Sequence, residues 1–538
     1  MRADGVGHGV PSTDDARALP SDAVAVPSVG VAVASQLGEL LRWLCSFPVM
    51  LGGLLVGAVF AIERAFIVDP DLWWHIRTGE LILSTHRWAM TDPYSYTSFG
   101  APWMSCEWLG DIFFAAVYHL GGLRGLEALL VVLASAVMLA LYGFATLRSG
   151  SSKAGFVASA VLLVLANASF NLRPQMLGYL FVILTLIALE RFCQGKQRAV
   201  WTLPILFLIW INTHGSWVIG LATVALYIAC GLRSFQIGSL ASRRWTRSER
   251  LRLETVLMLS LAVIPITPYG VRLAAYPFTV ASALPISVAS VMEWQVMPFN
   301  LVGGKIFLAL VLGFFLAQLV FRFLWRLFEV LLFLGGVAIA CLHVRFLLLF
   351  VPFFAPLLAT VIARWIPRYD RSKDKNALNF ALLAGIVIAM VHYLPSQADM
   401  NKKVGDQFPV QALAYMNRHS VPVPLFNSYG FGGYMIEAGY KTFIDGRSEL
   451  FEQTGVLDDY MHITLLKPGA IKVLEGYGIR SCLLQRDEPL STVLTSLPDW
   501  QKLYSDDVTA LYVKREAADA PNQAIAESVA ATRSAPAR

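Results

Sequence analysis

The sequence has few charged residues and few cysteines for its length. Only 15% of its 538 residues are Asp, Glu, Lys or Arg, whereas 56% are hydrophobic. Soluble globular chains contain about 25% charged residues, so this chain lacks the polar side chains to cover a water-facing surface. Its six cysteines are widely separated and form neither a metal-binding motif nor a disulfide framework. The composition therefore excludes a soluble enzyme and predicts a polytopic membrane protein.

Apolar blocks recur along the chain, and most have the length that a helix needs to cross a hydrocarbon layer about 30 Å thick. Residues 107–120 form a shorter apolar block with three ionisable residues, which predicts a helix at the outer interface, with a short tilted span as the alternative. The other blocks predict eleven spans, at residues 45–67, 124–147, 154–171, 174–192, 199–212, 215–233, 253–267, 305–322, 327–343, 346–364 and 378–395.

Lys and Arg cluster in alternate loops between these blocks. By the positive-inside rule such loops are cytoplasmic, which places the N-terminus inside and everything after residue 396 outside. The net charge of +6 then orients the chain and requires no nucleic-acid partner. No cleavable signal peptide is apparent, so we expect the first span to act as an uncleaved anchor in the bacterial inner membrane. The basic loops lie near residues 148–153, 191–198, 233–252, 322–326 and 364–375.

The predicted fold is mostly α: a transmembrane helical bundle with a small C-terminal α/β domain on the outer face. We predict a disordered cytoplasmic tail at 1–40, a transmembrane domain at 41–395 with a long first outer loop at 68–122, an outer (periplasmic) domain at 396–515, and a disordered tail at 516–538. Within the outer domain the pattern predicts helices at 409–419 and 465–478, strands at 423–429, 441–447 and 480–485, and a hairpin at 500–514.

An acidic motif opens the first outer loop. Asp69 precedes a proline at the start of a helical pattern, which suits a helix N-cap. Asp71 and His75 are one helical turn apart and share a face, so they can hold a divalent cation or form a general base. A simple hydrogen bond between the two side chains is the alternative. We predict Asp69, Asp71 and His75 as catalytic residues.

Other unusual polar residues fall at outer ends of spans or in the outer domain. Ionisable groups at membrane depth are costly and usually mark a site, so their location predicts one outward-facing polar cavity. For Arg345 the alternative is snorkelling, for His214 a capped turn, and for Asp445 a turn before Gly446. The predicted substrate-binding residues are Arg77, Glu107, Arg173, Gln175, Asn212, His214, Glu293, Arg345, Tyr429, Asp445 and Arg447.

These residues belong to motifs that resemble those of the GT-C superfamily of polytopic membrane glycosyltransferases, and of a bacterial membrane-protein group within or near it. The glycine-rich motif is also loosely similar to the aromatic-Asp-Tyr-Gly region of oligosaccharyltransferases, although it lacks that region's tryptophan pair and aspartate. The motifs are DPDLWWHIRTGE at 69–80, TDPYSYT at 91–97, RPQ at 173–175, NTHG at 212–215, NSYGFGGY at 427–434 and FIDGRSE at 443–449.

The resemblance implies transfer of a sugar from a polyprenyl-phosphate donor to a glycan, lipid or protein acceptor at the outer face of the bilayer. It implies that Asp69 or Asp71 is the catalytic base and that Arg345 or Arg173 binds the lipid phosphate. In the alternative form of the mechanism, Mg²⁺ or Mn²⁺ bound by Asp71 and His75 stabilises the departing phosphate.

Two other classes of protein also contain many spans and buried charge. A transporter or flippase of a lipid-linked substrate usually has internal repeats and polar residues near the middle of the bilayer. A non-catalytic scaffold of an envelope assembly would keep the polar loop for structure and bind a partner through the outer domain. The concentration of polar residues on one side favours the glycosyltransferase.

Overall fold

The computed structural model describes residues 29–64, 69–283, 285–290 and 294–515. The predicted C-terminal tail and most of the predicted N-terminal tail lie outside these residues, but the last part of the N-terminal tail lies in a helix. Helices of the apolar part are α1 Val29–Leu44, α2 Phe47–Glu63, α3 Asp71–Thr85, α4 Trp108–Ser149, α5 Ser152–Ala166, α6 Gln175–Cys193, α7 Leu203–Ile211, α8 Trp217–Cys230, α9 Arg247–Ala262, α10 Val271–Ala283, α11 Pro285–Ser290, α12 Val302–Val320, α13 Leu327–Leu342, α14 Leu347–Ile362 and α15 Asn376–His392.

Each predicted span contains a helix, but the helices differ in length. Five helices of the described chain are long and apolar enough to cross a membrane, or seven if two bent helix pairs each count as one span. Helices α7, α8 and α13 are apolar but shorter. The structure therefore supports a polytopic membrane protein without confirming the number of eleven spans.

The five basic loops lie together at one end of the bundle, as their alternation predicts. Arg148 forms an ion pair with Glu329, and Arg326 forms one with Glu190 at 2.5 Å. Short strands β1 Phe235–Ile237, β2 Leu240–Ser242 and β3 Trp325–Arg326 join two of these loops in one sheet. The last basic loop reaches the same end, where Asp374 accepts the backbone N–H of Phe47 at 3.4 Å. Which side of a membrane this end faces stays a prediction.

The predicted interfacial segment 107–120 is helical and continues into the next span. Helix α4 is 42 residues long and is kinked at Gly122, whose φ of 56° and ψ of −146° are not helical. Its first half packs closely against α3, because a Cβ on Gly79 would lie 2.1 Å from the carbonyl oxygen of Asp111. The kink lets this half leave the direction of the span and support the first outer loop.

The outer domain is built around a four-stranded sheet with the order β4-β5-β7-β6. Strand β4 pairs parallel to β5, whereas β7 pairs antiparallel to both β5 and β6. The strands are β4 Leu425–Asn427, β5 Ser481–Gln485, β6 Trp500–Ser505 and β7 Thr509–Lys514; the helices are α16 Gln397–Gly405, α17 Val410–Arg418, α18 Gly432–Glu437, α19 Ser448–Gln453, α20 Val456–Thr464, α21 Ala470–Gly476 and α22 Pro489–Ser496.

The small α/β domain and its hairpin match the sequence prediction, but the strand predicted at 441–447 is wrong. This segment makes only a single bridge, from Thr442 to Ser95 of the first outer loop. Beyond that bridge, Asp445 and Arg447 turn into the domain and form a buried ion-pair network. The segment is therefore held by side-chain pairing with another part of the chain and not by a sheet.

This network joins the first outer loop to the outer domain. The Arg447 guanidinium donates to both oxygens of Asp445 and to Asp92, each at 2.7 Å, and it lies over the ring of Trp103 at 4.7 Å. Arg447 is only 1% exposed, and Asp445 is fully buried. Both residues were predicted to bind substrate; their burial and complete pairing instead give them a structural position.

We predict that Arg447→Met destabilises the contact between the loop and the domain. Removing one partner of a buried ion pair leaves an uncompensated charge and costs about 3–5 kcal/mol. Thermal unfolding in detergent, followed by tryptophan fluorescence, should show a lower midpoint than in the parent protein. Arg486→Met is the matched control, because Arg486 is half exposed and pairs with the fully exposed Asp507. Equal midpoints for both variants would contradict the prediction.

Candidate functional site

The acidic motif sits where helix α3 begins. Asp69 accepts the backbone N–H of Asp71 at 2.9 Å and so fixes the first turn of the helix. This bond confirms part of the capping interpretation of Asp69, since the carboxylate satisfies an N–H that the helix itself leaves unpaired. Asp69 is also buried. Its other oxygen, Oδ2, accepts a hydrogen bond from an arginine.

Arg173 binds both acids of the motif. Its Nε lies 2.5 Å from Asp69 Oδ2, and its Nη2 lies 3.0 Å from Asp71 Oδ2. Arg173 is held in place because Pro174 starts helix α6 and packs against Gly110, where a Cβ would lie 2.8 Å from the proline ring. Residues that are about a hundred positions apart in the sequence thus form one charged cluster, in which a planar guanidinium pairs with two carboxylates.

The outer domain closes over this cluster. A Cβ on Gly446 would lie 1.6 Å from Asp71 Oδ1, and a Cβ on Gly433 would lie 2.0 Å from the carbonyl oxygen of Pro70. The Tyr429 hydroxyl donates to the Gly446 carbonyl at 3.1 Å, which places the tyrosine beside Asp71. The glycines of the two outer-domain motifs are therefore needed for close approach of the domain to the first outer loop.

A second row of ionisable residues continues from the cluster. His75 Nδ1 lies 2.6 Å from Asp111 Oδ1, and His75 Nε2 lies 3.5 Å from Glu107. The other oxygen of Glu107 lies 3.3 Å from His214 Nε2. Ser105 donates to the second oxygen of Asp111. Glu107 is therefore placed between two imidazoles.

A backbone hydrogen bond sets the state of one of the two imidazoles. His214 Nδ1 accepts the backbone N–H of Ser216 at 3.1 Å, so a neutral His214 carries its proton on Nε2, which lies 3.3 Å from Glu107 Oε1. His75 Nδ1 shares a hydrogen bond with Asp111, and its Nε2 faces Glu107.

Burial shifts the pKa of each of these groups toward its neutral form. Burial lowers the pKa of His75 to about 4, and burial together with the nearby Arg345 lowers the pKa of His214 to about 3. Burial raises the pKa of Glu107 to about 7, against the lowering effect of His75. With 23% of its side chain exposed, Glu107 is an accessible carboxyl group that gains or loses a proton near neutral pH.

Arg345 lies beyond His214 at the same end of the bundle. Its guanidinium lies 4.2 Å from the centre of the Trp294 ring, and its backbone carbonyl accepts the Tyr179 hydroxyl at 3.2 Å. Gln175 in turn donates to Tyr179. Within the described part of the chain, the Nε of Arg345 is buried and has no hydrogen-bond partner. A buried donor without a partner is costly, so this position suits an oxygen of a ligand.

Three other residues that the sequence predicts as substrate-binding are not seen among the contacts described above. Arg77 is 47% exposed and pairs with Glu80. It lies six residues after Asp71 on the same helix, so its side chain points away from that of Asp71. The Asn212 amide is used structurally: it accepts Trp108 Nε1 and donates to two backbone carbonyls. Glu293 lies outside the described residues.

The sequence prediction missed residues that complete the cluster. Asp111 was noted only as a charge in an interfacial segment, although it orients His75. Glu449, in the outer-domain motif FIDGRSE, lies close enough to His75 and Glu107 to affect the pKa of both, and it hydrogen-bonds Tyr276. The sequence signal for Asp111 is an ionisable residue in an apolar segment, and that for Glu449 is its place in the FIDGRSE motif; neither signal identifies a partner.

The predicted metal ligands Asp71 and His75 do not converge on one point. Asp71 pairs with Arg173, whereas His75 contacts Asp111 and Glu107. Among the residues that the structure describes, no group of three or more His, Cys, Asp or Glu side chains is arranged to hold a metal ion. The positive charge beside the acidic motif is supplied by arginine, and these residues do not fit a divalent cation.

Comparisons with known proteins return structural similarities only. The chain is similar to the Archaeoglobus fulgidus oligosaccharyltransferase tethered with an acceptor peptide, with 11% identity and a TM-score of 0.49 over 81% of this chain and 68% of that one. It is also similar to ArnT from Cupriavidus metallidurans bound to undecaprenyl phosphate, with 12% identity and a TM-score of 0.46 over 90% and 98%. No family model and no curated protein matches the sequence. Similarity at this level transfers neither activity nor ligand to this chain.

We predict that Glu107 titrates near pH 7. Infrared difference spectra of the detergent-solubilised protein should contain a protonated-carboxyl band that loses intensity as the pH rises through about 7. Glu107→Gln should remove this component, whereas Glu475→Gln should leave it unchanged because Glu475 is an exposed residue paired with Lys514. A Glu107 component that titrates near pH 4.5, the ordinary pKa of Glu, would contradict the assignment.

Proposed function

We propose that this chain is a membrane glycosyltransferase of GT-C type, which transfers a sugar from a polyprenyl-phosphate donor to an acceptor hydroxyl at the outer face of a bacterial inner membrane. The observation that carries the proposal is a continuous polar layer at one end of an apolar bundle. It runs from the Asp71–Arg173 pair through His75, Glu107 and His214 to Arg345. Such a layer combines the acids that glycosyl transfer needs with an arginine suited to phosphate.

Asp71 is the proposed general base. It is the more accessible carboxylate of the acidic motif, with 14% of its side chain exposed against 4% for Asp69. Asp69 is already occupied by the first turn of α3 and by Arg173. Asp71 accepts the proton of the acceptor hydroxyl as that oxygen attacks the anomeric carbon. Asp69 then acts as a positioning residue for Asp71.

Glu107 is the proposed general acid. As the acceptor oxygen bonds to the anomeric carbon, the bond from that carbon to the phosphate oxygen breaks and the electron pair leaves with the phosphate. Glu107 donates its proton to the departing phosphate, which a carboxyl group with a pKa near 7 can do at neutral pH. Two carboxyl groups in different environments thus take opposite roles, Asp71 beside a guanidinium and Glu107 between neutral imidazoles.

Arg345 is the proposed ligand of the donor phosphate. Its buried Nε lacks a partner within the described chain, and a guanidinium matches phosphate oxygens in geometry and charge. Arg345 lies between α13 and α14, so a lipid that enters from the bilayer can bring its phosphate to this point. Arg173 lies on the other side of the layer, where its contact with Asp71 keeps the base oriented.

We predict that Asp71→Asn lowers sugar transfer by at least about 100-fold, since general acid and base groups contribute about 10² to 10⁴ in rate. The assay incubates membranes that contain the protein with radiolabelled undecaprenyl-phosphate sugars and measures label in the acceptor fraction. Asp487→Asn, in an exposed loop of the outer domain, is the matched control.

We also predict that the rate of transfer by the parent protein falls as the pH rises above about 7, because Glu107 loses its proton. In Glu107→Gln this decrease in rate above pH 7 should be absent.

Three results would refute these roles. Transfer at the parent rate in Asp71→Asn would exclude Asp71 as the base. If the protein moves labelled lipid across the membrane of proteoliposomes without altering it chemically, it is a transporter. If the parent protein shows no transfer, and the variant with combined substitution of Asp69, Asp71 and His75 still binds an envelope partner, it is a scaffold.

We predict that Arg345→Met raises the KM for the lipid-linked donor by about tenfold or more and changes kcat less. The reason is that a charge-assisted hydrogen bond to phosphate is lost while the acid and base groups stay in place. Arg364→Met is the control, since Arg364 follows α14 at the opposite, basic end and lies over the Phe323 ring at 5.1 Å. A lower kcat with an unchanged KM would assign Arg345 to the transition state instead.

A further inference from the structure

A cavity lies on the side of helix α3 that faces away from Asp71. Its volume is about 800 Å³, and it is bordered by α3, the kink of α4, α16 and α18. Residues two positions apart on an α-helix point about 200° apart, so Trp73 and Asp71 face opposite directions. Trp73 lines this cavity, whereas Asp71 contacts Arg173 and Gly446. The body of α3 therefore separates the cavity from the proposed active site.

Aromatic rings form one wall of the cavity. Tyr118 and Tyr434 line it with partly exposed rings, and Trp73, which is only 2% exposed, supports the Tyr434 ring edge to face with centroids 4.9 Å apart. Phe408 stacks behind Tyr434 at 5.4 Å and holds that ring in position. Rigid aromatic surfaces of this kind bind the C–H faces of a flat, polar molecule, while the edges of such a molecule stay available for hydrogen bonds.

Two buried polar atoms along this cavity lack hydrogen-bond partners within the described chain. They are Nε1 of Trp73, a side chain only 2% exposed, and Oε2 of Glu437. A buried donor and a buried acceptor without partners each cost free energy. The rest of the Glu437 side chain is partly exposed along the cavity, so its carboxyl group can pair with hydroxyl groups of a ligand. Burial, with the nearby Glu80, raises the pKa of Glu437 to about 7, so this group is not held as a full negative charge at neutral pH.

The opposite wall is polar and carries little net charge. Amides and one charge of each sign come from α16 and from the segment after it, and most of these side chains are exposed. A cavity with a balanced rim does not select a phosphate or another strong anion. Its size lies within the usual range for small-molecule sites, about 300–1,000 Å³. The polar lining residues are Gln397, Asn401, Lys402, Asp406 and Gln411.

We propose that this cavity is a binding site for a neutral carbohydrate chain, separate from the site at Asp71. Sugars combine C–H faces that stack on aromatic rings with hydroxyl edges that pair with carboxyl and amide groups, and this cavity presents both surfaces to one ligand. The proposal goes beyond the proposed transfer reaction, because it requires no turnover. It assigns to Trp73, Tyr434 and Glu437 a function that the acidic motif does not use.

The test measures binding of fluorescein-labelled chitotetraose and maltotetraose to the full-length protein in phosphatidylcholine nanodiscs, by fluorescence anisotropy. We expect saturable binding of at least one probe with a Kd below about 1 mM. Gln411→Trp, which fills the cavity from its exposed rim, should abolish binding. Gln407→Trp is the matched control, because Gln407 is exposed on the same segment but does not line the cavity.

Further variants test the chemistry of the site. Glu437→Ala should weaken binding by about tenfold, and Glu437→Gln should restore most of the loss because an amide still pairs with hydroxyl groups. Asp71→Asn should bind as the parent does, which separates failure of this proposal from failure of the proposed transferase activity. The proposal is overturned if neither probe binds, if both tryptophan variants lose binding equally, or if glycerophosphoglycerol, the soluble headgroup of phosphatidylglycerol, displaces the probes at equal concentration.

Discussion

Charge inside an apolar bundle must be neutralised where it lies, and the arrangement of this protein depends on that constraint. At the basic end, Glu190 and Glu329 are buried and each binds an arginine from another loop. At the opposite end, Arg173 pairs with both Asp69 and Asp71. Ion pairs of this kind join segments that are distant in sequence, and removing one partner would leave a buried charge without compensation. The few ionisable residues therefore connect segments of the bundle that are distant in the sequence.

The same constraint explains how the outer domain is attached. Arg447 of the outer domain forms an ion pair with Asp92 of the first outer loop, and its guanidinium lies over the rings of Tyr94 and Trp103. Glycines then allow the domain backbone to approach within contact of Pro70 and Asp71. The domain, the loop and the start of α3 thus form one packed unit, and the acidic motif sits at the point where all three meet. The outer domain packs against this motif, and Arg173 of the helical bundle pairs with both of its carboxylates.

The sequence predicted the parts of this arrangement that depend on pattern. Alternating basic loops indicated that the polar residues share one end, and the motifs around Asp71, Arg173 and His214 do meet there. Tertiary pairing was not predictable. The segment 441–447 has the composition of a strand, yet Arg447 draws it into an ion pair with Asp92. The lengths of the helices were also not predictable, because the hydropathy of an apolar block does not show where a helix inside it begins or ends.

Helix α3 gives the molecule its most constrained element, since it presents Asp71 on one face and Trp73 on the other. Its first turn is fixed by Asp69, its packing against α4 leaves no room for a Cβ at Gly79, and α18 closes on it through Gly433. Because α3 is held on both sides, Asp71 and Trp73 are fixed on opposite faces of its first turn, and the body of the helix keeps the acidic motif apart from the cavity.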